Sequence, residues 1–269
     1  MATFDPPKSY MMPTFFGPRY TGNKSTGWYR DVTAMTVAYR TDRARLQNLL
    51  PKGFTASDPA IITVTYACNK DIDWLAGRGY NLIGVHASVS FAGNNDRLTG
   101  QLALVMWENL CDPIITGREL QGIPKLYASI PEHKILNGQW LAHAEHFDNP
   151  IVKISISDLT SVPLDQVEAS RAQTKETQNP MGYRYIPGML GYGEGFGHAT
   201  HFPSENHLTE VQLGTPRVDW STLTWEQNPT QFHIVNALAE LPIEDYVAGI
   251  VTKGSTNLIL LDRLPRALS

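Results

Sequence analysis

What most constrains this chain is a series of short apolar runs, at residues 32–39, 60–67, 82–91, 101–107, 139–147, 151–157, 208–213 and 258–261, separated by Gly, Asn, Asp and Pro. Runs of that length, rich in β-branched residues and bounded by turn formers, predict strands. Within 82–91, Ile83, Val85, Ala87, Val89 and Phe91 make one apolar face, while Leu82, Gly84, His86, Ser88 and Ser90 make the other. Helical signals are few. Asp42 suits the cap of a short helix that Pro51 stops. The others are residues 164–174, 229–239 and 242–250, the last with Pro242 in its first turn. Many strands and few helices give a mainly β (α+β) chain with an antiparallel sheet that curls or closes. No repeat or linker divides it, so residues 29–269 are expected to form a single domain. Residues 1–28, rich in Pro, Gly and aromatics, read as an extended arm that packs on a neighbouring copy in a homo-oligomer.

Composition narrows the function. At 269 residues the chain is long enough for a sizeable core, and a formal net charge of -4 leaves no basic footprint for nucleic acid. No apolar run approaches the roughly 18 residues that a membrane helix needs, and the first residues lack the basic and apolar regions of a secretory leader. The two cysteines, Cys68 and Cys111, make no Cys-x-x-Cys pair. A reducing, cytoplasmic setting is therefore expected. Residues 191–197 alternate glycine with larger residues but fit no phosphate-loop spacing, so a surface loop or lid is expected. His143 and His146 sit three apart in a strand-like run, on opposite faces, and His198 and His201 repeat the spacing. Neither pair predicts a metal site, and no cofactor is expected. No Gly-x-Ser-x-Gly elbow is present to support a serine hydrolase.

The most specific signal lies between Met106 and Lys125: a strand, a spacer, Gly117-Arg118-Glu119-Leu120, three residues, then Pro124-Lys125. This segment resembles the region around the reactive lysine of the acetoacetate decarboxylase superfamily. Supporting likeness comes from Tyr39-Arg40-Thr41-Asp42 near the start and from residues 238–245 near the end. The resemblance implies a cone-like antiparallel β-barrel whose lysine points into an enclosed cavity. It makes Lys125 the amine that forms a Schiff base with a carbonyl compound. A free lysine has a pKa near 10.4 and is protonated at neutral pH; a dry pocket and a nearby cation both favour the neutral, nucleophilic form. Once formed, the iminium accepts an electron pair, so loss of carbon dioxide or of an α-proton yields an enamine.

Three departures from the decarboxylases stand out. Leu126 occupies the place of a second lysine, and Val64 and Leu82 occupy the places assigned to two cavity glutamates. Arg30 is the nearest counterpart of a cavity arginine, at a shifted spacing. Gln121, four residues before Lys125, is shared with relatives that act as aldolase-dehydratases on a 2-oxo acid such as pyruvate, and its amide suits a carboxylate or oxo group. Strand parity puts His86 on the face of Leu82 as a candidate general acid or base. It likewise puts Tyr66 on the face of Val64. Tyr246, in the helix expected after Pro242, is a candidate donor to a developing alkoxide. Arg118 and Glu119 are read as holding the loop of Lys125, with Arg118 as a second charge near the amine. The expected substrate is a small 2-oxo or 3-oxo acid, decarboxylated through an enamine. The alternatives are aldol condensation with dehydration, a specialised cyclase or isomerase, and a non-catalytic ligand-binding barrel.

Overall fold

The computed structural model describes residues 11–17, 26–175, 178–258 and 264–269. Its strands are β1 (Trp28–Arg40), β2 (Phe54–Ala56), β3 (Ile61–Ile72), β4 (Arg78–Ala92), β5 (Arg97–Glu108), β6 (Lys125–Tyr127), β7 (Lys134–Leu136), β8 (Gln139–His146), β9 (Asn149–Ser161), β10 (Asn179–Ile186), β11 (Phe196–His201), β12 (Glu205–Trp220), β13 (Asp245–Asn257) and β14 (Arg266–Ala267). The α-helices are α1 (Arg43–Gln47), α2 (Cys111–Thr116), α3 (Leu164–Thr174) and α4 (Phe232–Ala239). All fourteen strands belong to one sheet, ordered β14-β11-β10-β5-β4-β3-β1-β13-β12-β9-β8-β7, with β2 on β4 and β6 on β5.

Most ladders are antiparallel, but β10 and β6 both run parallel to β5. The sheet is mixed, and its two ends do not pair among the described residues, so the closed cone-like barrel expected from the resemblance is replaced by an open sheet. Its terminal strands are only three and two residues long, which limits the unpaired backbone an open edge exposes.

Seven of the eight predicted strands recur, most with longer ends, and α3 spans the predicted residues. The cap on α1 is also present: the Asp42 carboxylate accepts from the Arg45 amide at 2.8 Å. The segment 242–250 is a correction. It is not a helix; residues from Asp245 onward form β13, paired with β1 on one side and β12 on the other. Val247, Ile250, Val251 and Thr252 favour an extended chain, and two waiting strands satisfy its backbone; these outweigh the helical preference of Pro242. The irregular stretch 178–207 contains a hairpin, β10 to β11, with exposed Met189, Leu190 and Tyr192 at its tip. Of the N-terminal arm, only 11–17 and 26–28 are described; Thr14–Phe16 form a 3-10 turn and Trp28 opens β1. The run 258–261 lies mostly outside the described residues.

Both faces of the central strands are covered. On β3, Ile62, Val64 and Tyr66 are fully buried in the main core with Met35, Val85 and Trp107. The opposite face of the same strand, through Thr65, Ala67 and Asn69, lines a cavity of about 380 Å³.

Candidate active site

The loop that delivers Lys125 explains its own sequence. β5 ends at Glu108, α2 follows, and the chain continues into one wide π-helical turn, Gly117–Gln121. Gly122 stops that turn with φ at 73°, and a side chain there would also meet the Arg184 amide nitrogen at 2.7 Å. Chain direction then reverses, and the Pro124 carbonyl accepts from the Met106 amide at 3.0 Å, which starts the parallel pairing of β6 with β5. Gly117 is a matter of space. A Cβ on it would lie 2.3 Å from Cε and 2.7 Å from Nζ of Lys125, so the lysine stem passes where any larger residue would stand. Arg118 Nη1 donates to the Lys125 carbonyl at 2.9 Å and clamps the backbone that carries the amine. Further along, Gln231 accepts from the Trp107 indole at 2.7 Å and donates to the Tyr127 carbonyl at 3.0 Å, tying β6 to β5 from α4's side.

Lys125 Nζ lies 2.7 Å from Glu108 Oε1, with side-chain exposures of 6% and 0%. It also donates to the Pro113 carbonyl at 3.2 Å. Among the described residues no other donor reaches either Glu108 oxygen. Burial pushes the Glu108 carboxyl above its usual range, and the Lys125 charge and hydrogen bond work against that push. Both residues line the cavity, whose walls include Ala34, Ala67, Leu82, Met106, Ile123 and Phe202. Tyr29 and Tyr80 line it too, with their hydroxyls 3.2 Å apart; burial first, then Tyr29 and Glu108, raise the Tyr80 phenol far above its ordinary value. An amine and a carboxylate held together in a mostly apolar hollow can exchange a proton without water.

The profile of the acetoacetate decarboxylase family matches residues 11–258. The chain belongs to that family. No curated protein sequence matches it. Among solved structures it is similar to acetoacetate decarboxylase from Legionella pneumophila, at 14% identity and TM-score 0.71 over 95% of this chain and 93% of the other. It is also similar to the enduracididine biosynthesis enzyme MppR complexed with pyruvate, at 14% identity and TM-score 0.68 over 97% of each chain. A third similar structure is an acetoacetate decarboxylase-like enzyme from Sphingomonas wittichii RW1, at 16% identity and TM-score 0.68 over 95% of this chain and 98% of the other. At such identities the likeness is one of fold.

Within this member of the family the other candidates scatter. Gln121 and Leu82 line the cavity with Lys125. Gln121 is further fixed by its carbonyl, which accepts from Thr200 Oγ1 at 2.6 Å. Val64 and Tyr66 do not reach the cavity: they point into the core, because the parity assigned to β3 is one residue out and the cavity face is Thr65, Ala67 and Asn69. The Tyr66 hydroxyl accepts from the His133 amide at 2.9 Å, and burial first of all raises its pKa. His86 does share the face of Leu82, but Gly84 and Met106 separate it from the hollow. Its Cε1 lies 2.9 Å from where a side chain on Gly84 would begin. Burial lowers its imidazole to about 4.

Tyr246 is on β13, not on a helix; its hydroxyl accepts from the Val218 amide at 3.0 Å and its ring meets Tyr39 edge-on, away from Lys125. Arg30 faces outward and grips Asp73 with two bonds of 2.8 Å. Glu119 is half-buried beside Arg118 and lies outside the cavity lining.

The sequence reading missed Glu108. It noted only that Val64 and Leu82 occupy the places assigned to two cavity glutamates, yet Leu82 pairs directly with Glu108 across the β4–β5 ladder. A carboxylate thus stands one strand over from Leu82, directly opposite it. A lone acid closing the apolar run 102–107 was the available signal.

Proposed function

We propose that this chain is a carbon–carbon lyase that forms a Schiff base between Lys125 and a small oxo acid. The observation that carries the reading is the buried Lys125–Glu108 contact of 2.7 Å in the cavity wall. Glu108 takes a proton from the lysine ammonium, and the freed amine attacks the substrate carbonyl carbon. Glu108 returns that proton to the carbinolamine hydroxyl, water leaves and an iminium remains. With a 3-oxo acid, the bond to the carboxylate breaks, its electron pair moves toward the iminium nitrogen, and carbon dioxide departs. Glu108, again a carboxylate, relays a proton from solvent to the enamine carbon, and water hydrolyses the iminium to release product and amine. A carboxyl whose pKa is raised by burial is suited to carrying that proton both ways.

Aldol condensation with dehydration is the second reading, and Gln121 in the cavity lining favours it. With a 2-oxo acid, the same Glu108 removes a proton beside the iminium instead of protonating the enamine, and an aldehyde receives the carbon nucleophile. The similarity to MppR complexed with the condensation product of pyruvate and imidazole 4-carboxaldehyde supports keeping this route.

The test is reductive trapping. Incubation with acetoacetate or pyruvate and borohydride is expected to leave a stable mass increase on the Lys125 peptide, absent in Lys125→Met. Carbon dioxide release separates decarboxylation from condensation. A wild-type protein that no small carbonyl compound labels would end the Schiff-base reading.

A further inference from the structure

The cavity shares part of its lining with a second, larger hollow. This outer hollow, about 810 Å³, lies beside α3 and the strands β11 and β12. Four residues line both spaces: Arg171, Gln178, Ser204 and Asn206. Every one is polar, so a polar collar separates a mostly apolar inner cavity from the outer chamber.

Three cationic side chains line the inner cavity, and two of them are already matched. Lys125 faces Glu108 at 2.7 Å and Lys253 faces Glu210 at 2.9 Å. Arg171 has no carboxylate partner among the described residues; one of its Nη atoms donates to the Asn206 carbonyl at 3.1 Å. That bond fixes the guanidinium at the collar and leaves it further donors in a fork suited to a carboxylate. Arg30, the arginine expected to meet a substrate, is spent on Asp73 at the surface. In the outer chamber the buried Gln101 Oε1 has no hydrogen-bond partner among the described residues, which leaves an unused acceptor in its wall.

We propose that Arg171 is a specificity-determining residue that binds the substrate carboxylate at this collar, with the carbonyl directed to Lys125 and any longer chain continuing into the outer chamber. The assignment of the carbonyl rests on the Schiff-base reading; the assignment of the carboxylate does not. The ligand class is an oxo acid whose charge is read from α3.

Two measurements separate these parts. The first needs no covalent chemistry: a saturation-transfer NMR titration with 3-hydroxybutyrate, which has the carboxylate but no carbonyl. Arg171→Gln is expected to weaken binding about 10- to 100-fold, as loss of a charge-assisted bond does, while Arg171→Lys retains part of it. Circular dichroism establishes that both variants are folded. Equal affinity in folded Arg171→Gln, or no binding by the wild-type protein, overturns the proposal.

The second is borohydride trapping of acetoacetate against acetone. In Arg171→Gln the half-saturating concentration of the acid is expected to rise by the same factor, with acetone unchanged. A parallel loss for both compounds overturns the carboxylate role. If neither compound ever labels Lys125 but 3-hydroxybutyrate still weakens in Arg171→Gln, the Schiff-base reading fails and the collar stands.

Discussion

Two cation–carboxylate pairs in this molecule have almost the same length and opposite surroundings. Lys125 and Glu108 meet at 2.7 Å in the cavity wall, with side chains 6% and 0% exposed. Arg30 and Asp73 meet at 2.8 Å on the surface, with side chains 53% and 15% exposed. Distance alone would rank them together. In the cavity wall both side chains are almost wholly removed from bulk solvent, so each depends on the other and the proton between them becomes a chemical resource. At the surface, water screens the pair, and either partner is readily solvated if the other is lost. The arginine that the family resemblance offered for the site, at a shifted spacing, lies outside it on the surface, while a glutamate with no motif to mark it stands beside the lysine.

The largest expected effect breaks the buried pair on one side. Lys125→Met leaves Glu108 buried without its cation and is expected to cost about 3–5 kcal/mol of unfolding free energy, with complete loss of trapping. Adding Glu108→Leu should bring stability back to that of the wild-type protein or above it, still without activity. Denaturant unfolding of the three proteins checks this. A single variant as stable as the wild type would mean that the pair is not buried as described.

His86 sharpens the comparison from the side of pH. Its imidazole is held to about 4 by burial, against about 6.5 in an unfolded chain. A lowered histidine stabilises the fold fully above pH 6.5, and that contribution drains away as pH falls toward 4. Its size is up to about 3 kcal/mol. His86→Asn should flatten the dependence of stability on pH in that window, read by denaturant midpoints from pH 4 to 7. An unchanged slope would assign the acid sensitivity elsewhere.

Gly117→Ala comes next. The added methyl occupies the path of the lysine stem, so stability is expected to fall by about 1–3 kcal/mol and trapping at Lys125 to fall at least as far as the amine is displaced. Arg30→Met should have the smallest effect, about 0–1 kcal/mol and shrinking as salt is raised, with trapping unaltered. A larger loss in Arg30→Met than in Gly117→Ala would invert the ranking drawn from burial.

Much of the architecture was legible in residues. Apolar alternation located β4 and β5, Asp42 marked the start of α1, and the Gly-Arg-Glu and Pro-Lys pattern pointed to Lys125. Other features were not legible, for identifiable reasons. Alternation shows that β3 has two faces but not which one borders a hollow. Both are covered, and Val64 and Tyr66 proved to be core while Thr65 and Ala67 are wall. Residues 242–250 carry a proline that suits a helix start, yet they were drawn into a strand because β1 and β12 offered ladders on both sides.

By itself the sequence determined a mainly β chain of this family and an amine delivered by a glycine-spaced turn. Local periodicity and steric demands, such as the room that Gly117 and Gly122 provide, are properties of neighbouring residues. Only the tertiary structure decided that Glu108 meets Lys125, that Leu82 stands across from it, and that Arg171 reaches the collar. Those meetings join residues on separate strands and a helix, and they depend on ladder register and on exclusion of water, which no local pattern encodes.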